Sequence, residues 1–142
     1  MTGAKLDGFP ETGWTMEDGV LTVEATDGGE STGPGDIVTL DKFSNFEFKF
    51  DFKITEGANS GIKYFVTEDY ASSGSAIGVE YQLLDDERHP DAKMGRDGNR
   101  TLASLYDLIP ANAHFYAPHE STAKRVNPYG WNRAKVVVLG NH

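Results

Sequence analysis

Cysteine is absent from all 142 residues. That removes disulfides, thiolate nucleophiles and cysteine-ligated metals together, although it leaves the compartment open. Long apolar runs are absent too, and none approaches the ~20 residues a membrane-spanning helix needs. Basic residues are few. Thirteen Lys and Arg stand against 22 Asp and Glu, giving a net charge of −9 and a pI of about 4.8. Such a chain is a poor match for phosphate backbones or anionic bilayers, which argues against nucleic acid and membrane surfaces as partners. There is no long amphipathic helical stretch, no Gly-rich phosphate loop, no nucleophile elbow and no catalytic-triad pattern. Serine-hydrolase, kinase and nucleotide-binding readings therefore have no support. The start, Met1-Thr2-Gly3-Ala4-Lys5, carries no signal-peptide pattern.

What is present suffices for a core. Hydrophobic residues make up 38% and aromatics 11%, and a globule of this length buries roughly 68–70% of its unfolded surface. Residues 1–142 read as one domain. Sixteen Gly and six Pro punctuate short segments whose apolar residues recur with period two. The spacing predicts strands at Val20–Ala25 (after the turn Glu17-Asp18-Gly19), Asp36–Leu40, Phe46–Ile54, Gly61–Val66, Gly78–Leu84, Thr101–Tyr106 and Ala134–Leu139. In Phe46–Ile54 the apolar residues fall on even numbers and the charged ones on odd numbers, the mark of an antiparallel sheet with one wet face. Seven short strands with turns between them indicate an all-β antiparallel sandwich. Residues Pro110 to Gly130 show no periodicity and are long for a plain connection. The last predicted strand would leave an open edge, which another chain or further strands would cover.

Several residues are candidates for chemistry. Glu80 and Gln82 share one face of their predicted strand; that face is either solvated or part of a polar cleft. The run Asp85-Asp86-Glu87-Arg88-His89-Pro90-Asp91 is either a charged surface loop with a turn at His89-Pro90 or a functional loop. Its carboxylates and His suit a divalent cation, with Asp85 and Asp91 as weak ligand candidates, but the spacing matches no calcium or zinc pattern. A His near Glu80 would let the pair divide base and acid roles. Gly57 and Gly61 bracket a turn in which Asn59 is either a turn former or a cleft donor. Lys63 follows on the next strand. Asp97-Gly98 and Asn99 read as a hairpin turn ahead of the strand at Thr101–Tyr106, and Asn99-Arg100-Thr101 matches the N-glycosylation pattern, a weak signal as a single match. Trp14 and Trp131 read as core or sandwich-end plugs in preference to sugar-stacking platforms.

Together these segments resemble a known family. The carriers are Gly78-Val79-Glu80-Tyr81-Gln82-Leu83-Leu84-Asp85, His89-Pro90-Asp91-Ala92 and Ser104-Leu105-Tyr106-Asp107-Leu108-Ile109-Pro110-Ala111, with Asn59-Ser60-Gly61-Ile62 upstream and Trp131-Asn132 and Gly140-Asn141-His142 downstream. The chain resembles the 3-keto-disaccharide hydrolase family over nearly its whole length. The resemblance implies a concanavalin A-like lectin/glucanase jelly roll, here without the family's last strands. It implies cleavage of the glycosidic bond of a 3-keto-glycoside, made upstream by an NAD-dependent sugar oxidoreductase, and it points to a periplasmic or secreted setting. A base removes the C2 proton that the C3 ketone has acidified, the leaving group departs from C1, and water adds afterwards.

On that resemblance Glu80 and His89 are the catalytic candidates, and which of them takes the proton stays open. Gln82 would bind a hydroxyl or the keto oxygen. Asp85 would orient His89 or contribute to a cation site. Lys63 and Tyr106 would serve the enolate oxygen and the leaving group, and Asn59 the rim. The competing readings are a non-catalytic carbohydrate-binding module, which this type of sandwich also supports, and an interaction subunit completed by another polypeptide.

Overall fold

A computed structural model describes residues 2–3, 8–26, 35–67, 77–111 and 129–140. Its elements are β1 (Thr2–Gly3), β2 (Trp14–Glu17), β3 (Val20–Val23), β4 (Ile37–Val38), β5 (Phe46–Phe52), β6 (Asn59–Thr67), β7 (Ile77–Leu84), a short 3-10 helix (Pro90–Lys93) and β8 (Asn132–Val138). The described chain is all-β with antiparallel pairing, as the period-two pattern predicts. Among the described residues no helix is long and apolar enough to cross a membrane. The chain divides into two compact units, Met1–Phe43 with Val66–Gly78, and Ser44–Phe65 with Val79–His142.

In the first unit β2 and β3 form a hairpin in the register Trp14↔Val23 to Glu17↔Val20. Its two-residue turn is Asp18-Gly19, and both residues have positive φ, 48° and 77°. This is the conformation that suits the right-handed twist of a hairpin. The Trp14 indole N–H donates to the Gly35 carbonyl at 3.0 Å. β1 pairs with β4 through Thr2↔Val38 and Gly3↔Ile37.

In the second unit β5 pairs with β8 over seven residues. Phe46, Phe48, Phe50 and Phe52 share a face with Val138, Val136, Ala134 and Asn132, while Glu47, Lys49 and Asp51 face Val137, Lys135 and Arg133. The second face carries ion pairs. Arg133 grips Asp51 with two bonds of 2.6 and 2.8 Å, and Glu47 accepts from Lys49 at 2.6 Å and Lys135 at 3.4 Å. These hydrogen bonds hold both carboxyls below their ordinary values. On the apolar face, Phe50 meets the edge of Tyr81 on β7 at 5.8 Å between ring centres, a favoured aromatic geometry. That contact brings β5–β8 against β6–β7, a sandwich arrangement within this unit. Ile54, Leu83, Leu84, Leu102, Val136 and Val138 form its buried apolar core.

Two expectations are corrected here. Thr101–Tyr106 is a run of turns instead of a strand. Ala103 takes positive φ (61°), as does Asp107 just beyond (59°), and each turns the chain out of the extended path. The segment nonetheless clips onto β7: Gln82 N donates to Ser104 O (3.0 Å), Ala103 N to Gln82 O (2.8 Å) and Tyr106 N to Glu80 O (2.9 Å). Trp131 is no plug, because 55% of its surface is exposed. Residues 112–128, which make up most of the aperiodic segment, and Asn141-His142 lie outside the described residues.

Ser104 is fully buried, and its hydroxyl has no hydrogen-bond partner among the described residues. An unsatisfied buried hydroxyl carries its desolvation cost with no return. Ser104→Ala is therefore expected to raise stability by about 1 kcal/mol, read as a higher denaturant midpoint at unchanged slope. A loss of stability would mean that the hydroxyl has a bonding partner.

Candidate active site

The site is built on β6 and β7. Gln82 Nε2 donates to Asn59 Oδ1 at 2.8 Å. Two residues further along β6, a methyl-sized group added at Gly61 would overlap the Glu80 side chain, 1.8 Å from Oε1. The partner number falls by two as the residue number rises by two, which is the antiparallel relationship. Asn59, Gly61, Glu80 and Gln82 therefore share a face, and Lys63 continues it along β6. Beyond Lys63, Phe65 takes φ +53°, which interrupts the alternation.

This face is not a plain solvated surface. Gln82 is only 1% exposed, and its backbone bonds to the turns of residues 101–106. Glu80 and Lys63 are half-buried, and Asn59 is exposed at the rim. The opposite face of β7 presents Tyr81, which borders an apolar cavity of about 590 Å3 with Phe52, Tyr64, Leu102, Leu105 and Val136. Burial pushes the Tyr64 and Tyr81 hydroxyls up. Asn132, Arg133 and Lys135 also line that cavity, while the carboxylate and amide singled out from the sequence, Glu80 and Gln82, lie on the other face of β7.

The loop after β7 is held by Asp85, which is 5% exposed. Its Oδ2 accepts from Gly57 N at 2.8 Å and from the Tyr129 hydroxyl at 3.3 Å, and its Oδ1 accepts from Glu87 N at 3.1 Å. Burial pushes this carboxyl up. The backbone N–H groups of Gly57, Glu87 and Arg88, with the Tyr129 hydroxyl, outweigh it and hold the carboxyl below its ordinary value. The Asp85 backbone carbonyl accepts from His89 N at 2.9 Å. Asp85 thus anchors the loop that presents His89. Arg88 pairs with Glu56 across the same loops.

His89 caps the 3-10 helix, and its Nδ1 accepts the Asp91 backbone N–H at 3.2 Å. In the neutral ring the proton then sits on Nε2. Asp91 is 9% exposed. Its Oδ1 accepts from Arg100 Nη1 at 3.0 Å and its Oδ2 from the Tyr106 hydroxyl at 2.8 Å. Arg100 also grips Asp107 with two bonds of 2.9 and 3.1 Å and lies 5.3 Å over the Tyr106 ring. Burial and then the bond to Asp91 push the Tyr106 phenol up to about 12. Its proton stays in place at physiological pH, committed to Asp91.

The sequence candidates thus fall into three groups. Asn59, Gln82 and Glu80 meet on the strand face. Asp85 holds the following loop. His89, Asp91 and Tyr106 form a bonded chain that returns to β7 through the Tyr106 N–H on Glu80 O. Both oxygens of Asp85 and of Asp91 already accept protein donors. Among the described residues no three His, Cys, Asp or Glu side chains converge as a metal site would require. Sequence reasoning missed Arg100, which ties Asp91, Asp107 and Tyr106 together. The glycosylation pattern at Asn99 is also corrected: Asn99 is 8% exposed, and its amide bonds to Arg96 N and Asp107, so no glycan fits there.

Comparison with known proteins gives the family. A family model described as the 3-keto-alpha-glucoside-1,2-lyase-like domain matches residues 2–142. The chain is 39% identical over 137 residues to a 3-keto-disaccharide hydrolase of Bacteroides thetaiotaomicron, an alignment covering 88% of this chain. The chain spans 44% of that relative's length. With its match extending from Thr2 to His142, the chain belongs to the 3-keto-alpha-glucoside-1,2-lyase-like domain family.

Proposed function

We propose that this chain carries the reacting face of an enzyme that cleaves 3-keto-glycosides by proton removal at C2. The observation that carries the reading is the placement of Glu80, its carboxylate laid over Gly61 beside the bond between buried Gln82 and rim-exposed Asn59. Glu80 takes the C2 proton, and the C2–H electrons form the C2=C3 bond of an enolate with charge on the C3 oxygen. The ketone re-forms as the C1–O bond breaks, releasing the aglycone and a 1,2-unsaturated 3-keto sugar. Water then adds to that alkene, its oxygen at C1 and a proton at C2. The balance matches the word lyase in the family's description and the word hydrolase in the relative's name, because hydration completes a net hydrolysis.

His89 is the donor in this scheme. With Nδ1 accepting from Asp91 N, the neutral ring donates a hydrogen bond from Nε2 to the departing oxygen or the enolate, and the proton that Glu80 took from C2 passes to the aglycone oxygen. Lys63, half-buried on the same face, supplies a donor for a hydroxyl or keto oxygen, while Gln82, buried and bonded to Asn59, holds the Asn59 amide at the rim instead of meeting the sugar. No step is routed through a cation. The substrate is the product of an alcohol oxidation at C3, so an NAD-dependent sugar oxidoreductase would act before this enzyme.

The test compares a 3-keto-glucoside with the same unoxidised glucoside. Turnover of the oxidised sugar alone is expected, with a fall of about 100-fold in His89→Ala, the lower end for loss of one hydrogen-bond donor to a developing oxyanion. Equal cleavage of both sugars would contradict the reading. Binding of both without cleavage would mark the chain as a carbohydrate-binding module.

A further inference from the structure

We infer that Gly61 is a positioning residue for the Glu80 carboxylate, an inference that rests on the assignment of Glu80 as the base. Glycine inside a strand is normally a weakness, since it adds backbone entropy to the unfolded chain and packs nothing. It is retained where φ is positive or where something must approach the backbone closely. Gly61 is not among the positive-φ residues, so any residue could adopt its backbone. What fills the space of its missing side chain is Glu80. A Cβ built on Gly61 would lie 1.8 Å from Oε1, 2.5 Å from Cδ and 2.6 Å from Cγ of that residue.

The three short approaches involve consecutive atoms of one side chain. Moving the carboxylate tip alone would not clear them, because Cγ is itself too close. Relief requires rotation about the first side-chain bond, and a change of rotamer swings the carboxylate to a different place. Gly61 thus gives Glu80 a floor of bare backbone, on which the carboxylate lies across β6 instead of projecting from the sheet. The same floor sets its height relative to the Gln82–Asn59 pair one step along the strands. A proton-transfer group displaced by about 1 Å loses roughly 100-fold in rate.

Two double-mutant cycles test this. In the first, Gly61→Ala is expected to lower kcat on the 3-keto-glucoside about 100-fold with little change in KM. In Glu80→Gln, the same substitution is expected to change the residual rate less than about twofold, since the group it displaces no longer acts. The second cycle reads stability alone. Gly61→Ala is expected to lower the melting temperature when Glu80 is present and to leave it unchanged, or raise it, in Glu80→Ala. A variant too unstable to assay for turnover still enters this second cycle. Equal effects of Gly61→Ala in both backgrounds would overturn the inference, and so would full activity in Gly61→Ala beside an inactive Glu80→Gln. If Glu80→Gln turns over normally, the assignment of Glu80 as base fails, while the stability cycle still decides whether Gly61 seats its side chain.

Discussion

Glu80→Gln is expected to lower turnover of a 3-keto-glucoside about 1000-fold, within the range a positioned base contributes. Gln matches Glu in size and hydrogen-bonding reach but cannot take a proton. The seat over Gly61 accepts either side chain, since the close approaches involve Cγ and Cδ as well as Oε1. Melting temperature and KM should therefore change little while kcat collapses. A fall in kcat confined to the chemical step separates a base from a ligand for a sugar hydroxyl, whose loss would weaken ground-state and transition-state binding together and raise KM. Preserved kcat with raised KM would place Glu80 among the binding groups.

The second large effect falls on Asp85. Removing its carboxylate strands the Gly57 and Glu87 N–H groups and the Tyr129 hydroxyl, which now close on it. Donors left unpaired cost about 1–3 kcal/mol each when buried. Gly57, Glu87 and Tyr129 are exposed residues whose donors water can reach, so Asp85→Ala is expected to lose about 1–2 kcal/mol near neutral pH. The effect has a pH signature. The folded-state value of this carboxyl lies below its ordinary 3.8. Its contribution is therefore fully present above that ordinary value and is lost as pH falls through the depressed one. The stability gap between wild type and Asp85→Asn should narrow in acid, below about pH 4. Denaturant unfolding at neutral pH and again at about pH 2 reads it directly. A gap that stays constant across that range would show that the charge of Asp85 does not hold the loop. Because the Asp85 carbonyl also receives the His89 N–H, loosening this loop should lower activity too.

Much of this architecture is legible in the sequence because it rests on local alternation. The β5 pattern from Phe46 to Phe52 could be read residue by residue, and its pairing with β8 sets the phenylalanines on one face and Glu47, Lys49 and Asp51 on the other. The Asp18-Gly19 turn was legible from its dipeptide, and it adopts the two positive φ values that the dipeptide favours. Trp14–Glu17 was missed as a strand, since four residues give too short a run for a period to show. Thr101–Tyr106 has strand-like composition, but positive φ at Ala103 and the bonds to β7 decide its shape, and both are tertiary. The pairing of Gln82 with that segment is non-local for the same reason.

The candidate site was half legible. Types of residue stood out: a carboxylate beside an amide on a strand, then a loop dense in acids with one His. Their partners did not. That Gly61 lies against Glu80 is invisible until register is known, although a lone Gly within a strand is the signal for a close approach. Arg100 drew no attention because its partners, Asp91 and Asp107, lie nine and seven residues away on opposite sides. No helical or strand period links those positions.

The central claim is that the C2 proton leaves during cleavage. It is tested most directly by running the reaction on a 3-keto-glucoside in deuterium oxide and reading C2 of the released sugar by proton NMR, at times short against uncatalysed exchange. Elimination followed by hydration predicts deuterium at C2 of every sugar released by the wild-type protein, with release itself slowed in Glu80→Gln. Released sugar that retains its original proton at C2 would contradict the account, because cleavage would then have proceeded at C1 without any α-proton chemistry.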